Sequence, residues 1–396
     1  MSAPIADRLG EVQLALRDAR LEGWLLTDHR ATNPIALRAL GLRVVQPMRR
    51  VFYWLPADGM PVMVAHAIEA ETLPELPGEL RRYVGWTELR RALERTLPSR
   101  GQVAMEHQPM GGVPDLSRVD AGTLQLVESY GPRVVPSIDL VNALLGAMSA
   151  DERARQERTY AALREVREAA CAWLADERSP TERGLRALVE EEMASAKLLS
   201  DRPALIATGP RTRHRSPRHS GDEDRAIEPR DLVIIELYAT DAPLGPYAHL
   251  ALTGVLREAS PDATRAFSLA RRARDAALEL LAERFATGAR VLGYEVDRAA
   301  RAALDRPDEG GLVAHRPWAH RSGHHLGWCS LSAEACTFDD LEVHDTREAL
   351  VGLAWSLHPG VYEDELGLRA HAAVRRGESS LELLEPGQDA LRVIGG

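Results

Sequence analysis

Apolar and polar positions along this chain follow two different periods, and the changes between them outline its elements. "ADRLGEVQLALRDARL" near the start carries apolar residues at helical spacing and is followed by the short apolar run "GWLLT", which predicts helix then strand. "VFYWLP" and "MPVMVAH" are strand-like runs on either side of an Asp-Gly pair, a hairpin signal. "PRVVPSIDLVNALLGAM" closes this first part, in which helix and strand alternate.

At Ser149 the helical period takes over. Ser149 and Glu152 stand in capping-box spacing ahead of a long amphipathic helix, "SADERARQERTYAALREVREAACAWLADE". "SPTERGLRALVEEEMASAK" predicts a second helix, with Ser179 as cap, Pro180 in the first turn and Glu182 completing the box. "SPDATRAFSLARRARDAALELLAERF" reads as a third helix and "GYEVDRAARAAL" as a shorter one. Strand-like runs lie between and after them: "PALIAT", "DLVIIELYA", "HLALTGVL", "LAWSLH" and "RAHAAV". The pattern predicts two domains, 1–146 and 147–396, the first alternating α and β and the second α+β.

Composition narrows the class. A chain of 396 residues is too long for one small core, and 45% hydrophobic with 27% charged residues fits a soluble globular protein. No apolar run approaches the ~20 residues that span a bilayer. The N-terminus lacks the basic-then-apolar order of a signal peptide, so a cytoplasmic protein is expected. The net charge of −10, with arginines interleaved among acids, argues against a nucleic-acid or membrane partner. Cys171, Cys329 and Cys336 form neither a CxxC pair nor an even framework, so disulfides are not expected, and Cys329 is read as a buried structural thiol.

Histidines change the picture most. The chain has 13, and seven of them fall between His315 and His371. A single histidine is usually a surface or core residue satisfied by a hydrogen bond, but these stand at structured positions. His249 begins a strand, and His324 sits in "HRSGHHLGW" between Gly323 and Gly327, where the backbone can approach something closely. His358 and His371 flank "HPGVYEDELGLRAH", which reads as a hairpin beginning at a Pro-Gly turn. Neutral imidazole is the commonest transition-metal ligand, so the pattern points to a metal site.

Four segments, "PRHSGDEDRAIEPRDLVIIEL", "GPYAHLALTGVL", "HRSGHHLGW" and "SLHPGVYEDELGLRAHAAV", resemble the successive motifs of the creatinase/aminopeptidase P group of peptidase family M24. The resemblance covers the whole chain. It implies a pita-bread α+β catalytic domain preceded by a smaller creatinase-like α/β domain. Peptidases of that group hold two metal ions on two aspartates, a histidine and two glutamates. Here Glu236 falls at the first aspartate and His249 at the second, His324 keeps the histidine, and His358 and His371 replace the glutamates.

These replacements imply different chemistry. A neutral imidazole has one free lone pair and cannot bridge two ions as a carboxylate does. One ion is therefore expected, on His249, His324, His358 and His371, with Glu236 as a fifth ligand or a nearby base. Decay of an abandoned site would scatter residue types, whereas three positions have all become histidine. A nitrogen-rich set disfavours Mg and Ca and suits Fe above all, with Cu, Co, Ni, Mn or Zn as alternatives.

The resemblance also implies catalytic roles for Glu236, for His219 near the substrate carbonyl, for His320 among the substrate contacts and for Arg369 beside the last ligand. Leu331 and Ser332 stand where the family carries a His-Glu pair, so recognition on that side must differ. Three functions stay open. The first is dioxygen-dependent oxidation of a small amino-acid-like metabolite. The second is C–N hydrolysis, a lyase step or Xaa-Pro peptidase chemistry at a single Lewis-acid ion. The third is non-catalytic binding. A small-molecule substrate and a homodimer are implied in either enzymatic case.

Overall fold

The alternating periods of the first part resolve into strands and helices in the expected order. The computed structural model describes residues 8–42, 47–214, 224–305 and 318–395, and the chain forms two compact units, Ser2–Gly146 and Ala147–Gly396. In the first unit the elements are α1 (Leu9–Asp18), β1 (Gly23–Asp28), α2 (Pro34–Ala39), β2 (Val51–Pro56), β3 (Val62–His66), β4 (Glu79–Tyr83), α3 (Trp86–Glu94), β5 (Gln102–Met105), α4 (Ala121–Glu128), β6 (Arg133–Pro136) and α5 (Ile138–Leu145). They build one six-stranded mixed sheet in the order β4-β3-β2-β1-β5-β6. The Asp-Gly hairpin forms as read, with Val51 opposite Ala65 and Trp54 opposite Val62.

The second unit starts with α6 (Ala150–Asp176), whose N-terminus carries the expected capping box. Ser149 Oγ accepts from the Glu152 N–H, and Glu152 accepts from the Ser149 N–H. The cap of α7 (Glu182–Ser195) differs from the sequence reading. Thr181, not Ser179, closes it, accepting from the Gly184 N–H at 3.1 Å. The Pro180 carbonyl is already bonded to the Ile227 N–H, which keeps residues 179–180 outside the helix. Glu182 turns instead to the Thr208 hydroxyl and the Arg211 guanidinium.

Next come β7 (Leu205–Thr208), β8 (Leu232–Ala239), β9 (Ala248–Val255), α8 (Pro261–Ala286), α9 (Gly293–Leu304), β10 (Gly323–His325), β11 (Ala354–Leu357), β12 (Gly360–Tyr362), β13 (Gly367–Arg369), β14 (Ala372–Arg376), β15 (Leu381–Glu385) and β16 (Arg392–Val393). They form two four-stranded sheets, β16-β9-β8-β7 and β10-β11-β14-β15, and a small β12-β13 ribbon. One apolar core packs α6 and α7 on β7, β8 and β9; another packs α8 and α9 on β11 and the ribbon.

Strand alternation then decides what the two sheets present to each other. On β8, Val233, Ile235, Leu237 and Ala239 enter the core under α6, so Ile234, Glu236 and Tyr238 point to the opposite face. On β9, Ala248, Leu250 and Leu252 do the same, which puts His249 on the face of Glu236 and Tyr238. On β11, Trp355 and Leu357 fill the core under α8, leaving Ser356 on the other side. These residues face the site from two sheets.

Candidate metal centre

Two histidines arrive on strands, His249 on β9 and His324 on β10, and two on the links between strands, His358 after β11 and His371 before β14. His249 is opposite Tyr238 in the β8–β9 register, and its backbone N–H donates to the Tyr160 hydroxyl of α6 at 3.4 Å. His324 is in the middle of β10, opposite Ser356 of β11. The segment before β10 is held from α9 by buried Asp297, which accepts from the Ser322 N–H at 3.1 Å and from Arg301 Nε at 2.6 Å. Gly323 has no room for a side chain, since a Cβ there would lie 2.7 Å from the Ser356 carbonyl oxygen. Gly327 is similarly pressed against the His325 ring.

His358 and His371 flank a hairpin as expected, but both lie just outside the strands predicted to hold them, and the turn is elsewhere. Pro359-Gly360 leads into β12, Gly360 pairs with Arg369, and the tip closes by the Glu363 N–H to the Leu366 carbonyl. The two histidines therefore flank the open end of the ribbon, where it meets β11 and β14. Cys329 also differs from expectation: it is only partly buried, while Cys171 and Cys336 are buried.

The imidazoles converge. Donor atoms of His249, His324 and His358 all lie within 4.8 Å of one another. His371 adjoins this group through His249, with ring centroids 4.6 Å apart. All four rings are buried. Among the described residues, His249 Nε2, both ring nitrogens of His324 and His358 Nδ1 have no hydrogen-bond partner. Buried polar atoms are ordinarily paired, because leaving one unmade costs about 1–3 kcal/mol. Orphaned nitrogens on all three converging rings, each ring offering one lone pair, fit a cation that takes them as ligands.

Electrostatics keeps those lone pairs free. Burial, followed by neighbouring imidazoles and cations, pushes His249, His324 and His358 well below the ordinary histidine value. His371 is pushed down to about 3, by burial first and then by Arg274 and Arg167. All four are neutral at pH 7, the form in which histidine binds a metal.

Glu236 shares the strand face of His249 but is committed elsewhere. Arg369 Nη1 donates to its Oε1, and both side chains are buried. Burial works against the Arg369 charge, yet Glu236 and Tyr362 outweigh it and hold the guanidinium above its usual value. Arg369 Nε also donates to the Tyr362 hydroxyl at 2.6 Å. His320 stacks on His358 with centroids 5.3 Å apart, and its Nε2 lies 3.3 Å from the same hydroxyl. His219 falls outside the described residues.

Two neighbours escaped the sequence reading. Tyr238 lies flat on His249, centroids 4.0 Å apart and planes within 11°. The Ser356 hydroxyl is 2.6 Å from His249 Nδ1. Counting two residues along a strand from Glu236 or back from His358 reaches both, so the period-two pattern held the signal.

The sequence profile described as "Metallopeptidase family M24" matches residues 152–379. No curated protein matches the chain. Among solved structures, the dipeptidase PepE from Mycobacterium ulcerans is similar with a TM-score of 0.74 at 22% identity, over 98% of this chain and 97% of that one. A prolidase from Thermococcus sibiricus reaches 0.67 at 17% identity over 99% of both chains. An aminopeptidase P from Escherichia coli reaches 0.61 at 13% identity, over 96% of this chain and 94% of that one. At such identities the likeness to these structures is one of fold.

Proposed function

This chain belongs to metallopeptidase family M24 and has its pita-bread fold, and on that premise we propose that it is a single-metal enzyme. Its ion would be held by His249, His324 and His358, with His371 alongside. The substrate is a small amino-acid- or dipeptide-like molecule, and the reaction is cleavage of a C–N bond. The observation that carries this reading is the convergence of buried, neutral imidazoles, each with a ring nitrogen that has no partner. When bound, the ion supplies Lewis-acid polarisation of a carbonyl or a water.

The chain's own residues add a proton path and a fixed charge. The Arg321 carbonyl can only accept, so the 2.8 Å contact from His320 Nδ1 puts the ring proton there and leaves Nε2 as an acceptor. Arg369 can only donate, so the Tyr362 hydroxyl accepts from Arg369 and its own proton points to His320 Nε2. His320 and Tyr362 can thus hold or pass a proton beside His358. The Glu236–Arg369 pair keeps a compensated charge next to the imidazoles without supplying an open carboxylate.

A second reading, dioxygen-dependent oxidation, is favoured by one feature: the converging donors are all nitrogen. Taken alone that set suits iron or copper. Family membership weighs the other way, so hydrolysis stands first. Untagged protein should be analysed for metal per chain, assayed on Xaa-Pro and other dipeptides, and examined by absorption with and without O₂ or nitric oxide. Zinc or cobalt with dipeptide cleavage supports hydrolysis. Iron or copper whose spectrum responds to gas, without cleavage, supports oxidation. Failure to take up any metal under any loading condition overturns both. Light scattering tests the homodimer that we infer for the assembly.

A further inference from the structure

Ser356 touches the site without having any ligand chemistry of its own. It is fully buried and lies on the β11 face opposite Trp355 and Leu357. His324 is its cross-strand neighbour, and its hydroxyl oxygen is 2.6 Å from Nδ1 of His249 on the other sheet. Two residues further along the chain stands His358. One small side chain therefore stands between the two strands that carry His249 and His324, and two residues before His358.

Its effect on His249 follows from proton counting. A neutral imidazole has one N–H and one lone pair, so the role of Nδ1 dictates what Nε2 can offer. If Nδ1–H donates to Ser356, the Nε2 lone pair is free, and Nε2 is the buried nitrogen of His249 without a partner. If Ser356 donated to Nδ1 instead, the proton would sit on Nε2, leaving a buried N–H with no acceptor. The plane of the ring is set separately, by Tyr238 stacked at 4.0 Å from β8.

We propose that Ser356 is a positioning residue that holds His249 as its Nδ1–H tautomer, so that Nε2 faces His324 and His358 as a metal ligand. This rests on the single-metal reading above. An outer contact of this kind typically contributes about 10–100-fold in metal affinity.

The test uses Co(II) binding, measured by chelator competition and by the visible absorption of the bound ion, on the full-length protein. Ser356→Ala should lower affinity by about 10–100-fold and shift the cobalt bands. Ser356→Thr, which keeps the hydroxyl, should restore most of both. Nitrogen-15 spectra of histidine-labelled, metal-free wild type provide a readout independent of the variants' folding. They should show His249, assigned with His249→Gln, protonated at Nδ1. Equal affinity and unshifted bands in Ser356→Ala, or His249 protonated at Nε2, would overturn the assignment while leaving the metal centre intact. Wild type that binds no Co(II) would overturn both.

Discussion

Arg369 donates to Glu236, so the carboxylate on the His249 face of the β8–β9 pair is half of a buried ion pair. In the sequence this glutamate looked like a fifth ligand or a free base; in the folded chain its charge is answered by a guanidinium. Removing one partner of such a pair costs about 3–5 kcal/mol, because the other charge is left buried and alone. Arg369→Met should therefore lower the urea midpoint strongly. Glu236→Gln should bind the same one ion per chain as wild type. Loss of metal from Glu236→Gln in elemental analysis would restore the glutamate to the ligand set.

The four histidines should not be equivalent. His249→Ala, His324→Ala and His358→Ala each remove a member of the converging group and should weaken Co(II) binding by at least about 100-fold, beyond the ~10–100-fold of outer contacts. His371 stands outside that converging group, in ring contact with His249 at 4.6 Å, so His371→Ala should cost less. Chelator competition on the four variants ranks them. A His371 variant as damaged as the others would make the centre a four-imidazole one.

Acid should destabilise the metal-free protein earlier than carboxylate titration alone would. Unfolded histidines bind a proton near pH 6.5, whereas the four buried ones are held well below that, His371 at about 3. The unfolded state thus binds more protons below about pH 6.5. Stability is fully present above that pH and falls as pH drops, by about 1.4 kcal/mol per unit for each histidine. Urea midpoints of metal-free protein should decline between pH 7 and 5, and a flat profile there would contradict neutral burial of the cluster.

Returning carboxylates to the ribbon should return the bridging capacity that imidazole lacks. The double variant His358→Glu with His371→Glu is expected to take up two metal ions per chain instead of one. Metal content unchanged from wild type would mean that these positions do not correspond to the family's glutamates.

Local structure was largely legible in the chain. The capping box at Ser149 and Glu152, the Asp-Gly hairpin and the strand that carries His249 follow from periodicity and turn chemistry, whereas the three-residue β10 that carries His324 is too short to show a period. Thr181 was missed as a cap because the competing claim on the Pro180 carbonyl comes from Ile227, some fifty residues away. The Pro-Gly turn was misplaced for a related reason: β12 and β13 pair around Glu363–Leu366, and a proline-glycine step serves as well for entering a strand as for reversing one.

By itself the sequence determined which positions are imidazole and, through strand alternation, that His249 takes a face of its strand apart from its apolar neighbours Ala248, Leu250 and Leu252. It also determined that these donors cannot bridge two ions, since that follows from residue type. Only the tertiary structure decided that His249, His324 and His358 converge, that His371 stands beside them, and that Arg369 claims Glu236. The physical reason is that these relations depend on the register and packing of two separate sheets. That packing is set by apolar cores on the opposite faces of the same strands, and no local period records what meets across the gap.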